Sequence, residues 1–154
     1  MAISLDAPLD QIIVLLKTIT GLATDTDGTV HVHKGVPESF PTRLAAYVAL
    51  ADFPETTEAA TQVQRVTASY AVGFGYRVAG AEAGAEAALC VAALAFLTLM
   101  KQPINRTLNT GSADLVNDAR LVGGGSSQPQ YAPVAGQEFR IVQVTVRTVQ
   151  QHGY

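Results

Sequence analysis

The sequence predicts an α+β fold: a mixed, mostly antiparallel β-sheet with a long hairpin arm and two helices packed on one face. Three observations predict it. Thr61–Val78 alternates strictly, with Val66, Ala68, Tyr70, Val72, Phe74, Tyr76 and Val78 on one side and Arg65, Thr67, Ser69, Ala71, Gly73, Gly75 and Arg77 on the other. That is the period of a strand whose two faces meet different surroundings. Ala81–Lys101 is a continuous helix-forming block stopped by Pro103. Glu138–Val149, ending in FRIVQVTVRTV, is a second long run of strand formers.

The remaining elements follow in order. Asp6–Thr20 reads as a first helix, since Pro8 fits its first turn, Asp6 and Asp10 suit its positive end and Gly21 can stop it. Ile12, Ile13, Leu15, Leu16 and Ile19 give it an apolar stripe. A turn at Asp27–Gly28 leads into a short strand, Thr29–Lys34, and the prolines of Gly35–Arg43 mark a loop. Leu44–Phe53 is the next strand, Pro54–Ala60 a polar connection, and the long strand returns antiparallel as a hairpin arm. At about 3.3 Å per residue it runs roughly 50 Å, well beyond usual strand lengths, so it is expected to overhang its own domain.

Gly80 closes that strand. The main helix, about 30 Å long at 1.5 Å per residue, is acidic at its start and ends on Lys101, both favourable to its dipole. Ala85, Leu89, Ala92, Ala93, Phe96, Leu97 and Met100 are expected to face the sheet. A short strand is predicted around Ala119–Val122, and Gly123–Ala135 has the composition of a flexible loop. In the last strand Phe139 and Ile141 fall on one face but Val142, Val144 and Val146 on the other. That switch predicts a bulge near Ile141–Val142.

Composition narrows the function classes. The 154 residues read as one domain, with 48% hydrophobic and only 15% charged residues where about a quarter is usual. A surface short of charge suits coverage by other chains, although an alanine-rich composition gives the same numbers. Net charge is −3, and the ten basic residues are scattered from Lys17 to Arg147 without a run or aromatic interleaving, which argues against a nucleic-acid-gripping surface. Cys90 is the only cysteine, so no disulfide framework is expected and the thiol reads as a small buried hydrophobe. MAISLDAPLDQ lacks the basic and apolar regions of a signal peptide. Ala87–Met100, between Glu86 and Lys101, falls short of the ~20 residues needed to span a bilayer, so it reads as a core helix and no membrane partner is expected.

Candidate chemistry is sparse. His31 and His33 share a strand face about 7 Å apart, but only His152 remains as a third imidazole, and the solvated face of an edge strand is the better reading. Asp25-Thr26-Asp27-Gly28 opens like a calcium loop and lacks its later acidic positions, so turn chemistry explains it. Gly73, Gly75 and Gly80 lie inside or at the end of a strand without dinucleotide-binding spacing; they mark a bend or a close approach instead. Glu82 and Glu86 read as dipole-compensating surface residues. No catalytic, cofactor or metal site is therefore predicted.

Three segments, Gly35–Val48 (GVPESFPTRLAAYV), Phe74–Glu82 (FGYRVAGAE) and Ala135–Arg140 (AGQEFR), resemble in order and spacing the tail terminator (tail completion) proteins of long-tailed bacteriophages. The resemblance spans most of the chain from Gly35 onward, as a diffuse pattern of strands and turns. It implies a small α+β subunit that forms a homo-hexameric ring on the last ring of the tail tube protein. Such a ring stops tube growth and presents the docking surface for the head connector and neck proteins. Genomic DNA would pass through the lumen without specific binding. The implied location is the virion, at the tail–neck junction, after assembly in the host cytoplasm. No cofactor is implied. The candidate subunit-interface residues are Arg65, Gly73, Gly75, Arg77, Arg140 and Arg147, and the candidate tube- or connector-facing loop holds Gly123, Gly124, Gly125 and Tyr131. Alternative readings are a head–tail joining or stopper ring, a subunit of a contractile or secretion-type tube and, from a different class, a small hot-dog-type enzyme with a long helix wrapped by its sheet.

Overall fold

The computed structural model describes residues 3–39, 43–59, 63–78, 80, 82–122 and 129–153. Its elements run α1 (Asp6–Leu16), β1 (Val32–Lys34), β2 (Leu44–Leu50), β3 (Glu55–Ala59), β4 (Val63–Arg77), α2 (Glu82–Lys101), β5 (Asp118–Val122), β6 (Gln130–Val134) and β7 (Gln137–Gly153), with a short 3-10 helix at Pro103–Thr107. The fold is α+β, with a seven-stranded, mostly antiparallel sheet ordered β1-β2-β4-β7-β5. Among the described strands, β1 and β2 are the parallel pair.

The long strand does not overhang. From Val63 to Arg77 every residue of β4 is paired with β7, Val63 opposite Gly153 and Arg77 opposite Phe139. Its other edge carries β2 beside Tyr70–Tyr76 and β3 beside Val63–Thr67. The polar connection expected after Leu50 is thus largely strand, because Glu55–Ala59 folds back on β4 as a hairpin. β7 likewise carries β5 beside Thr145–Val149 and β6 beside Gln137–Ile141. Among the described residues, β4 is thus flanked along both sides, and the unpaired backbone edges belong mainly to the outer strands.

The alternation of β4 resolves into the two faces. Val66, Ala68, Tyr70, Val72 and Phe74 are buried beneath the helices, together with Ala46 and Val48 of β2 and Val146 of β7. Phe74 meets Phe96 of α2 edge to face, with centroids 5.9 Å apart, a contact worth about 0.5–1.5 kcal/mol beyond area burial. The bulge expected near Ile141–Val142 is absent, since the β4–β7 register is unbroken through both residues. The apolar switch has another cause. Phe139 and Ile141 belong to a small second cluster with Ala45, Tyr47 and Val134 on the helix-free face.

That cluster explains Gly73. The Tyr47 ring lies across it, and a Cβ at position 73 would sit 2.2 Å from Tyr47 Cε1. The close approach is therefore of an aromatic ring over a neighbouring strand, not of a second backbone.

α1 is shorter than expected. The Thr18 hydroxyl bonds back to the Leu15 carbonyl at 2.6 Å, the chain turns at once, and Gly21 takes φ +90. Ahead of α1 the chain is fixed to the sheet: Gln150 accepts the Ser4 N–H at 3.1 Å and donates to its carbonyl at 2.5 Å, and the Tyr70 hydroxyl donates to the Leu5 carbonyl at 2.7 Å. Burial, first of all, pushes the Tyr70 phenol up to about 12.

α2 lays Ala85, Leu89, Ala92, Phe96 and Met100 on the sheet. Leu97, expected there too, is 41% exposed, and Val91 and Leu94 on the outer side are 65% exposed. Cys90 is exposed as well, not buried. The helix is long and apolar enough, by length and composition, to cross a membrane, but its inner stripe is core of the sheet domain. Asn105 is buried and donates to the Leu99 carbonyl at 2.7 Å, satisfying a C-terminal acceptor of α2. β6 and β7 join through Ala135 and Gly136, both with positive φ (51 and 77), as a tight primed hairpin turn requires. β6 thus occupies the C-terminal part of the stretch read as a flexible loop.

Replacing Gly73 by alanine is expected to destabilise the fold by about 1–3 kcal/mol, since the Tyr47 ring must move. Urea unfolding checks this. A Tyr47→Ala background should remove most of the Gly73→Ala effect, and purely additive losses would contradict the packing account.

Candidate functional site

Alternation along β4 and β7 sorts the candidate interface residues. Arg65, Gly73, Gly75, Arg77 and Arg147 are all on the helix-free face, since each sits at an odd-numbered register position paired with another. The Gln151 amide lies 3.2 Å from Arg65 Nε and Nη2, both donors, which assigns its oxygen to that side, and Arg77 Nη1 donates to Gln137 Oε1 at 3.1 Å. Arg147 is exposed, whereas Gly73 and Gly75 are buried, Gly73 under Tyr47.

Arg140 is on the opposite face. Its Nε donates to Glu86 Oε1 at 2.6 Å, its Nη1 to the Ile141 carbonyl at 2.6 Å, and its guanidinium lies 5.8 Å from the Tyr131 ring centroid. Glu86, read from sequence as a dipole residue, is thus also the clamp between α2 and β7. Tyr131 lies on β6, opposite Arg140. Gly123, Gly124 and Gly125 lie outside the described residues.

The two histidines stand where β1 begins. His31 lies between the Asp25 carboxylate, 3.0 Å from Nε2, and the Leu44 carbonyl, 3.4 Å from Nδ1. Burial, and then the charge of His31, hold His33 below the ordinary histidine value. The Asp25–Gly28 segment is a turn closed by Gly28 N–H to the Asp25 carbonyl at 3.0 Å. Thr29 N–H bonds to Asp27 Oδ1 at 2.9 Å and holds that exposed carboxyl below its usual range. An open, polar pocket of about 600 Å³ lies beside this turn, with Thr24, Asp25, Asp27 and His31 among its walls. Among the described residues no group of three or more His, Cys, Asp or Glu is placed to hold a metal ion.

Two further surface features are apolar. A groove of about 450 Å³ runs between the end of α1 and the outer side of α2, walled by Ile19, Val91, Leu94, Ala95 and Leu99. Phe53, in the connection between β2 and β3, is 94% exposed. The strand expected over Leu44–Phe53 ends at Leu50, which leaves Phe53 in the connection and not, as expected, at a strand end. Its signal is the run Asp52-Phe53-Pro54-Glu55, an aromatic held between two acids and before a proline that keeps it extended. These surfaces are suited to recognising another chain.

No protein-family model matches the chain, and no curated protein is significantly similar to it in sequence.

Replacing Arg140 by methionine is expected to cost about 1 kcal/mol, less than a fully buried charged hydrogen bond because Glu86 is half exposed. Hydrogen exchange should quicken in the first two turns of α2 and not around Phe96. Unchanged exchange there would show that the clamp does not hold the helix start.

Proposed function

We propose that the chain is a structural subunit of a bacteriophage tail, a terminator that forms a ring on the tail tube, stops its growth and offers a surface to the head connector. One observation carries the reading. The three segments that resemble tail terminators, far apart in sequence, meet in one corner of the sheet. Leu44 pairs with Tyr76 and Tyr76 with Arg140, so all three contribute to adjacent strands at the same level. Arg43 lies 5.7 Å from the Tyr76 ring centroid, and Arg140 reaches Glu86 just beyond the second segment. A pattern scattered along the chain thus traces one contiguous unit, which is what a shared fold would preserve.

Two further features support assembly. Among the described residues the outer strands have unpaired edges, to which another chain can add. The outer side of α2 and Phe53 expose apolar surface on a chain with few charges. The hot-dog enzyme reading draws on a helix wrapped by its sheet, and α2 is bare along its outer side. A neck-ring subunit would use the same edges and differ in what it docks on.

Incubating the chain with its cognate tail tube protein during polymerisation tests the proposal. Electron microscopy should then show shorter tubes, each closed at one end by a ring. Tubes of unaltered length and open at both ends would overturn the reading.

A further inference from the structure

The sheet carries complementary features at its two lateral edges. One is the β2–β3 connection, where Phe53 is 94% exposed between the exposed carboxylates of Asp52 and Glu55. The other is a pocket of about 360 Å³ beyond β5, with Leu97, Met100 and Leu121 contributing apolar walls and Lys101, Arg106 and Arg120 cationic ones. Among the described residues Asp118 is the carboxylate paired with the two arginines, 3.2 Å from Arg106 Nη2 and 2.7 Å from Arg120 Nε. Arg106 Nε is buried without a partner, and Lys101 has no ion pair among the described residues. Three of the ten basic residues of a net-acidic chain thus line one pocket.

The register shows why one copy cannot join its own two features. Leu50 pairs with Tyr70, Tyr70 with Val146 and Val146 with Leu121, so a single row crosses the sheet from the strand that leads to Phe53 to the wall of the pocket. Three strand spacings, about 14 Å, separate its ends. Knob and pocket therefore lie at the same level on opposite edges. The pocket is ample for a phenyl ring, since about 150 Å³ accommodates benzene.

We infer that Phe53 of one copy enters the Leu97–Met100–Leu121 pocket of the next, with Asp52 and Glu55 against Lys101, Arg106 and Arg120. The occupant is a second copy of this chain. The contact joins two different patches, so it propagates head to tail and closes into a ring where the rotation between copies allows. This deepens the ring reading proposed above and rests on it for its biological setting. The aromatic supplies the anchor, and the charges orient the encounter and make it weaken with salt.

Sedimentation velocity of the full chain, from micromolar to near-millimolar concentration, tests the contact with Phe53→Ser and with Lys101→Glu/Arg120→Glu. Wild type should associate past the dimer, and each variant should lose at least about tenfold in association. An equimolar mixture of the two variants is the decisive arm. One intact knob then meets one intact pocket, so the mixture should form a 1:1 dimer that does not grow. A charge swap, Asp52→Lys/Glu55→Lys, should restore association with the pocket variant even if one variant is less stable.

Wild type that stays monomeric, variants that associate as well as wild type, or a mixture that behaves as the sum of its parts would each overturn the contact. A dimer insensitive to Phe53 would point instead to the outer stripe of α2. A wild-type ring unchanged in mass by both variants would sink this interface alone. The terminator reading fails separately, if tubes go uncapped.

Discussion

The unbroken pairing of β4 with β7, fifteen residue pairs in one register, is the constraint on which the other elements depend. Side chains alternate along both strands, so one register assigns every residue to a face, and a slip of one position would turn Tyr70, Phe74 and Val146 out of the core. With the register set, the even-numbered side of β4 forms the floor on which α2 and α1 rest. The other side needs no helix, because small residues and the Tyr47 ring over Gly73 close it locally. Both outer flanks of the ribbon are then occupied by short strands laid end to end. The length of β4 serves its own sheet, and the free edges pass to other strands.

Much of this was legible because it depends on period and on strong breakers. The faces of β4, the extent of α2 and the α+β class follow from alternation, from an apolar stripe at helical spacing and from Pro103. What was not legible depends on partners distant in sequence. Glu55–Ala59 is polar and reads as a connection until β4 supplies its hydrogen bonds. The turn at Ala135–Gly136 puts alanine in a left-handed conformation and so lacks the usual asparagine–glycine signal. The apolar switch in β7 reads as a bulge when one core is assumed, whereas two clusters on opposite faces absorb it without any break. Cys90 and Leu97 were placed inward by composition, and the narrow stripe chosen by α2 left them outside.

The candidate site follows the same division. Arg65, Arg77 and Arg147 share the helix-free face, as alternation required, but nothing local could show that Arg140 points to the other face and is engaged by Glu86. Lys101 and Arg106 come from the end of α2 and the turn after it, and Arg120 from β5; only the return of β5 onto β7 brings them to one pocket. Phe53 was visible as a residue and not as a knob, since its exposure depends on β2 ending at Leu50 and β3 resuming the same edge of β4 only at Glu55, which leaves residues 51–54 outside the pairing.

The central claim is that copies of this chain meet edge to edge, and not through the long strand. Amide hydrogen exchange by mass spectrometry, on dilute and on concentrated unmodified protein, addresses it most directly. The account predicts that concentration adds protection together in residues 51–55 and 100–106 and in β5, with β4 unchanged because its amides are already paired on both sides. Protection gained along the outer side of α2, or in one edge without the other, would contradict it.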